Sequence, residues 1–207
     1  VVLFRAADVD VSTRKQVLRR ATVERILSVD PARRASEEAA LVARFPTLPG
    51  FAAARCVLLY ASVFPEEVDT GPLVRQALDL GKRLVLPRVD RAAGRLRLYH
   101  VADLAADLRR GAMNIPEPKR TCPEVDPAEI DWVLAPGLAF NDACFRLGRG
   151  AGYYDRLLPT LPPGSPRWAL ALDAQWIDDL PVEGHDVPLD GVVSVSRTAV
   201  RTPSTAG

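Results

Sequence analysis

Cys56-Val57-Leu58-Leu59-Tyr60, then Thr70 to Gly81, then Arg83-Leu84-Val85-Leu86 is the stretch that decides the fold. The first run is short and continuously apolar, as a strand buried on both faces must be. Thr70 can cap a helix, Pro72 suits its first turn, and Gly81 sits just past its end. The second apolar run follows at once and Pro87 stops it. Strand, helix and strand at this spacing make a βαβ unit and a parallel sheet.

Downstream, Leu96 to Val101, Trp132-Val133-Leu134-Ala135, Ala169-Leu170-Ala171-Leu172 and Val192-Val193-Ser194-Val195 read as further strands. Asp103 to Arg109 reads as a short helix ended by Gly111, and the proline-rich stretch from Ile115 to Pro127 as a loop. Upstream, a helix capped by Ser12 runs to Leu27, and a second covers Ala35 to Phe45 before Pro46. The expectation is an α/β chain. It has a mostly parallel sheet of about six strands flanked by helices, a helical extension over 1–50, and a loose tail over 202–207. At 207 residues this is one domain.

Composition narrows the function. No run of eighteen apolar residues exists, so no membrane span is expected. Val1 to Arg20 holds no signal-peptide core, and a first residue of Val reads as a terminus trimmed or not shown. A net charge of +1 argues against a general nucleic-acid binder. Arg14, Lys15, Arg19, Arg20 and Arg25 cluster near the start, and a solvated helix face accounts for most of them. Cys56, Cys122 and Cys144 are odd in number and widely spaced, which fits a reducing cytoplasm. Cys144 is either a reactive thiol or a small buried residue, and burial is the simpler account.

Arg146-Leu147-Gly148-Arg149-Gly150-Ala151-Gly152-Tyr153-Tyr154-Asp155-Arg156 carries the chemistry. Glycines let several backbone N–H groups converge on one anion, and arginines supply countercharge. The spacing is neither a Walker A loop nor a dinucleotide fingerprint. Asp155 either stabilises a helix start or ligates Mg²⁺ beside phosphate oxygens. Asp190 is a second candidate carboxylate, or simply the turn-former before Gly191. Of Tyr153 and Tyr154, one can face the core and the other a flat ligand. Glu66, Glu67 and Asp69 follow the first strand, and one can assist the cap at Thr70. The loops after Tyr60, Ala135 and Leu172, if their strands are parallel, bring Glu67, the glycine run and Gln175 towards one cleft. No His/Cys cluster of zinc spacing exists, and no catalytic triad can be built from local spacing.

These pieces together resemble the 5-formyltetrahydrofolate cyclo-ligase family. The resemblance rests on Lys15 and Arg19, Tyr60-Ala61-Ser62, Glu67-Val68-Asp69-Thr70, Gly81-Lys82 and Asn114-Ile115-Pro116-Glu117-Pro118. Pro136-Gly137-Leu138-Ala139-Phe140, the glycine run, Gln175, Leu180-Pro181 and His185-Asp186 follow in the family's order. It implies a Rossmann-like sandwich and ATP- and Mg²⁺-dependent closure of 5-formyltetrahydrofolate to 5,10-methenyltetrahydrofolate. It also implies that ATP lies against Lys15, Arg19, Arg146, Leu147, Gly148, Arg149, Gly150, Ala151, Gly152, Tyr153 and Asp155. The folate lies against Ala61, Glu67, Asn114 and Tyr154; Arg149 and Tyr154 act on the reacting groups; Asp155 and Asp190 hold Mg²⁺. The chain departs from the pattern at Cys144, usually Gly, and at Ala151, often Gly or Lys. It also departs at Asn141, commonly Asp, and at Ser194-Val195, commonly Thr-Glu. Cys144 is strained if its φ is positive, and Ala151 is tolerated if its φ is negative. Two rivals remain: an ATP-binding enzyme acting on another formyl or cofactor substrate, and a non-catalytic folate-binding or RNA-associated protein on the same fold.

Overall fold

A computed structural model describes residues 10–111 and 116–202. Two helices come first, α1 (Val11–Leu27) and α2 (Pro31–Arg44). Their starts are set by aspartates. Asp10 accepts from the Thr13 N–H and Asp30 from the Arg33 N–H, each at 3.0 Å. Ser12 is therefore inside α1 rather than its cap. The second helix begins four residues before the expected Ala35, with Pro31 in the first turn where its missing N–H costs nothing.

The rest alternates between strands and helices. In order come β1 (Cys56–Leu58), α3 (Gly71–Asp79), β2 (Arg83–Asp90), β3 (Arg95–His100), α4 (Leu104–Asp107), β4 (Leu108–Arg110), β5 (Pro116–Pro118), β6 (Glu124–Val125) and β7 (Trp132–Leu134). Then come β8 (Ala139–Phe140), β9 (Arg146–Leu147), α5 (Tyr153–Leu157), β10 (Arg167–Leu170), β11 (Gly191–Val193) and β12 (Thr198–Val200). The main sheet has eight strands in the order β12-β11-β10-β7-β1-β2-β3-β6. Its five central strands, β11 to β2 in that order, are parallel; β12 and β3 run against them, and β6, antiparallel to β3, runs with them. From β1 the chain winds outward to β2 on one side and later to β7, β10 and β11 on the other. The junction of β1 and β7 is thus a topological switch point, where such sheets bind ligands beyond the strands' carboxyl ends.

Each face of the sheet is covered. Ile26, Leu41, Phe45, Leu73, Val74 and Ala77 pack on one side. Phe45, Phe51 and Trp132 form a tight aromatic cluster there, with Phe51 at 5.1 Å from the Trp132 ring. Phe140, Leu157, Leu158 and Trp176 pack on the other side. The mostly parallel, helix-flanked sheet is thus as expected, with two strands more than the apolar runs suggested.

Three local expectations are corrected. Pro87 does not stop β2, which continues to Asp90 paired with β3. β1 has already ended at that level, so the missing N–H costs no ladder bond. The proline-rich stretch is not all loop: β5 pairs with β4, and β6 pairs with β3. Thr70 does not cap α3 with its side chain. Its hydroxyl bonds the Tyr60 carbonyl at 2.7 Å, while Asp69 Oδ1 accepts from the Gly71 N–H at 2.9 Å.

Candidate active site

A cleft of about 760 Å³ opens at the carboxyl ends of the central strands. The loop after β1 forms one wall with Ala61, Val63, Phe64 and Glu67. The glycine run after β9 forms the opposite wall, α1 closes one end, and Pro87, Val89 and Leu96 of the β2–β3 ribbon close the other.

The glycine run needs its glycines at two positions. Gly150 has φ +103° and Gly152 φ +66°, both in the left-handed region that side chains avoid. Ala151 is free of that strain, whereas Cys144, just upstream, adopts φ 62°. Its thiol is fully buried and burial pushes its pKa up, so it is a packed side chain and no nucleophile. Asn141 holds the same turn by accepting from the Phe145 N–H at 2.9 Å.

Behind the run lies a group of buried polar atoms with unmet capacity. Arg146 has only 3% of its side chain exposed and bonds Asp155 Oδ1 at 2.9 Å. Its Nε has no partner among the described residues, nor does the Tyr154 hydroxyl. The guanidinium lies 5.4 Å from the Tyr154 ring centre. Burial depresses the Arg146 pKa, the nearby Asp155 charge opposing it, and burial pushes the Tyr154 hydroxyl pKa well up. Unsatisfied buried polar atoms are costly, and a polar ligand in this cleft would satisfy these two.

Asp155 lines this cleft and gives one oxygen to Arg146. No cluster of three metal-ligating side chains exists among the described residues.

The exposed Arg20 and Arg25 and the part-exposed Arg14 fit the expected solvated face of α1, whereas Lys15 and Arg19 turn inward. Lys15 is buried and bonds Glu183 at 2.8 Å and Asp186 at 2.5 Å. Burial alone would lower its pKa; the hydrogen bonds it donates to Asp186 and Glu183 outweigh that and raise it. Arg19 donates to the Gly148 carbonyl at 2.8 Å, Arg25 to the Trp176 carbonyl at 3.0 Å, and Arg14 pairs with Asp179. Arg20 borders the cleft.

Arg149 reaches across the cleft. It meets Glu66 at 2.9 Å and Glu67 at 3.3 Å, and its guanidinium lies 3.6 Å from the Phe64 ring centre. The other Glu67 oxygen accepts from the Val63 and Phe64 N–H groups at 2.9 and 3.3 Å.

Residues 11–195 match the model of the 5-formyltetrahydrofolate cyclo-ligase family. The chain belongs to this family. A protein of Escherichia coli (strain K12) named 5-formyltetrahydrofolate cyclo-ligase is 36% identical over 164 residues, spanning 74% of this chain and 85% of its own. One of the same name from Mycolicibacterium smegmatis is 32% identical over 189 residues, spanning 90% and 96%. The NMR structure of Aquifex aeolicus 5,10-methenyltetrahydrofolate synthetase superposes with a TM-score of 0.78 at 31% identity, covering 90% of this chain and 92% of that one. The chain is thus an enzyme of a ligase family.

Within this cleft the structure gathers Lys15, Arg19, Ala61, Glu67, Tyr154, Asp155 and the whole of 146–153. Asn114 lies outside the described residues. Asp190 is placed elsewhere. It precedes β11 at the amino ends of the strands, where Oδ2 accepts from the Arg167 N–H at 2.9 Å and Oδ1 from Arg201 at 3.0 Å. That is the opposite edge from Asp155, so the two carboxylates cannot share an ion. Gln175 does not line the cleft either. It is buried and donates to the Gly137 and Leu138 carbonyls, bracing the turn after β7 from behind. Ser194 is buried with its carbonyl on Arg44, away from the cleft.

Sequence reasoning missed Phe64, Val89 and Leu96 as cleft residues, and missed that Glu183 and Asp186 hold Lys15. Pro87 and Val89, two apart on one strand, share a side, and that alternation was the available signal. No helix among the described residues is long and apolar enough to cross a membrane.

Proposed function

We propose that the chain converts 5-formyltetrahydrofolate and ATP to 5,10-methenyltetrahydrofolate, ADP and phosphate, with Mg²⁺, as one catalytic domain. One observation carries this reading. The buried Arg146 Nε and Tyr154 hydroxyl, without partners among the described residues, and the part-buried Asp155 lie on a glycine turn that faces the Glu67 loop across one cleft. The names of the relatives support the substrate. The three unpaired, buried thiols support a reducing compartment such as the cytoplasm.

The chemistry follows from the need for a leaving group. A formyl oxygen bound to carbon leaves poorly. Attack of that oxygen on the γ-phosphorus expels ADP and leaves the carbon bearing a phosphate. N10 then attacks this carbon and loses its proton, the carbon–oxygen bond breaks, and inorganic phosphate departs. Phosphoryl transfer needs alignment and charge neutralisation more than a protein nucleophile. Arg146 and the amides of 148–152 hold the phosphates, with Lys15 and Arg19 at the α1 end. Arg149 leaves or shares its carboxylate partners to touch the transferred group. Glu67 orients the pterin edge, and Tyr154 packs against the reacting formyl. Asp155 would hold Mg²⁺, which when bound neutralises phosphate charge.

The test is the appearance of methenyl absorbance from 5-formyltetrahydrofolate, dependent on ATP and on Mg²⁺. No absorbance at high enzyme concentration, with ATP hydrolysed on a different substrate, would overturn the reading. Folate binding with no turnover would point to a non-catalytic role.

A further inference from the structure

The loop carrying Phe64, Glu66 and Glu67 is held at both ends by different devices. At its base Ser62 and Thr70 exchange two hydrogen bonds of 2.9 Å, and Thr70 ties the Tyr60 carbonyl. At its tip the anchor comes from outside, from α2. Arg34 donates to the Pro65 carbonyl and, at 2.5 Å, to the Glu67 carbonyl. Glu38, one turn later, accepts from the Arg34 Nε at 3.1 Å and from the Asp69 N–H at 3.4 Å. Arg34 is only 21% exposed, and it does not border the cleft.

We propose that Arg34 is a positioning residue, fixing the backbone of 65–67 so that Glu67 lines the cleft and both Glu66 and Glu67 meet Arg149. A guanidinium is suited to this because its rigid fork reaches two carbonyls and a carboxylate at once; an ammonium has no such fork. Glu66 follows one carbonyl of this clamp and Glu67 bears the other, and their carboxylates hold Arg149 of the glycine run. α2 thereby sets the separation of the two cleft walls without touching a ligand. The inference rests on the reading of this cleft as the folate and ATP site, and the experiment separates the two.

Arg34→Ala and Arg34→Lys are compared with wild type by steady-state kinetics in both substrates and by amide hydrogen exchange. Turnover of 5-formyltetrahydrofolate by wild type tests the site reading by itself. For Arg34→Ala the expected result is a KM for the folate raised roughly tenfold, with kcat and the KM for ATP changed by less than about twofold. Arg34→Lys should fall between, at about threefold. The Val63 and Phe64 amides, bonded to Glu67, should exchange faster, while β1 does not change. Unchanged KM values in a folded variant would overturn the proposal. So would a fall in kcat with both KM values moving alike, the mark of general destabilisation. If Arg34→Ala does not fold, Arg34→Lys decides on the same criteria. If wild type shows no turnover, the site reading has failed, and exchange at Val63 and Phe64 alone decides on Arg34.

Discussion

The two edges of the central sheet use their aspartates in opposite ways. At the amino ends, carboxylates are consumed by structure. Asp131 accepts from the Arg55 and Cys56 N–H groups, and Asp190 accepts from the Arg167 N–H and from Arg201. At the carboxyl ends, Asp155 gives one oxygen to Arg146, and the Arg146 Nε and Tyr154 hydroxyl have no partner among the described residues. Satisfied groups stabilise a fold, whereas unsatisfied buried groups cost stability unless a ligand completes them. The contrast separates a structural aspartate from a candidate catalytic one, although both are Asp in the sequence.

The largest expected effect is at the carboxyl edge. Asp155→Asn keeps an acceptor for Arg146 but removes the charge, and turnover should fall by about 10²-fold or more. Circular dichroism should show a native fold, and wild-type activity would remove Asp155 from the site. Asp190→Ala should do the reverse. Turnover per folded molecule should hold, while stability falls by about 2 kcal/mol in urea unfolding, because the Arg167 N–H loses its acceptor. A large loss of turnover there would break the distinction between the edges.

Backbone strain gives a finer test. Cys144→Gly sacrifices buried thiol contacts worth about 1.5 kcal/mol and relieves a left-handed strain of about 1 kcal/mol. Its net cost in urea unfolding should be under about 1 kcal/mol, less than the same change at Cys56 in β1. The smallest effect is in acid. The Arg83 hydrogen bond to Glu129, at the amino edge, holds that carboxyl below its ordinary 4.5, and the Arg97 hydrogen bond does the same for Glu124. A depressed folded pKa contributes stability that is present above pH 4.5 and lost as pH falls through the folded values. Melting temperature followed from pH 6 to pH 3 should decline, and the decline should shrink in Arg83→Gln and in Arg97→Gln.

The central strands were legible because Val57, Leu58, Val133 and Leu134 lie in unbroken apolar runs, as burial on both faces demands. β5 and β6 were not, because prolines and polar residues mask short edge pairings. The glycine run was legible because two of its glycines meet a backbone need that no packing role imposes. Asp190 misled because Asp before Gly suits a turn and a metal site equally, and only the sheet's direction separates them. Lys15 and Arg19 of α1 misled in the opposite sense. Their partners Glu183, Asp186 and the Gly148 carbonyl lie well over a hundred residues away. Nothing local announces such pairing.

Pro87 has one more consequence. Leu59 donates to the Val85 carbonyl, so alternation turns the backbone groups of Val85, Pro87 and Val89 to that same side of β2, and the last two border the cleft. Past the end of β1 this side of the ribbon is an open edge, where an extended peptide could add itself as a strand and bridge the cleft. Pro87 withdraws one of the two donors such an intruder would need. The sheet therefore stops growing at the mouth of the cleft, and the entrance stays clear of stray chain pairing.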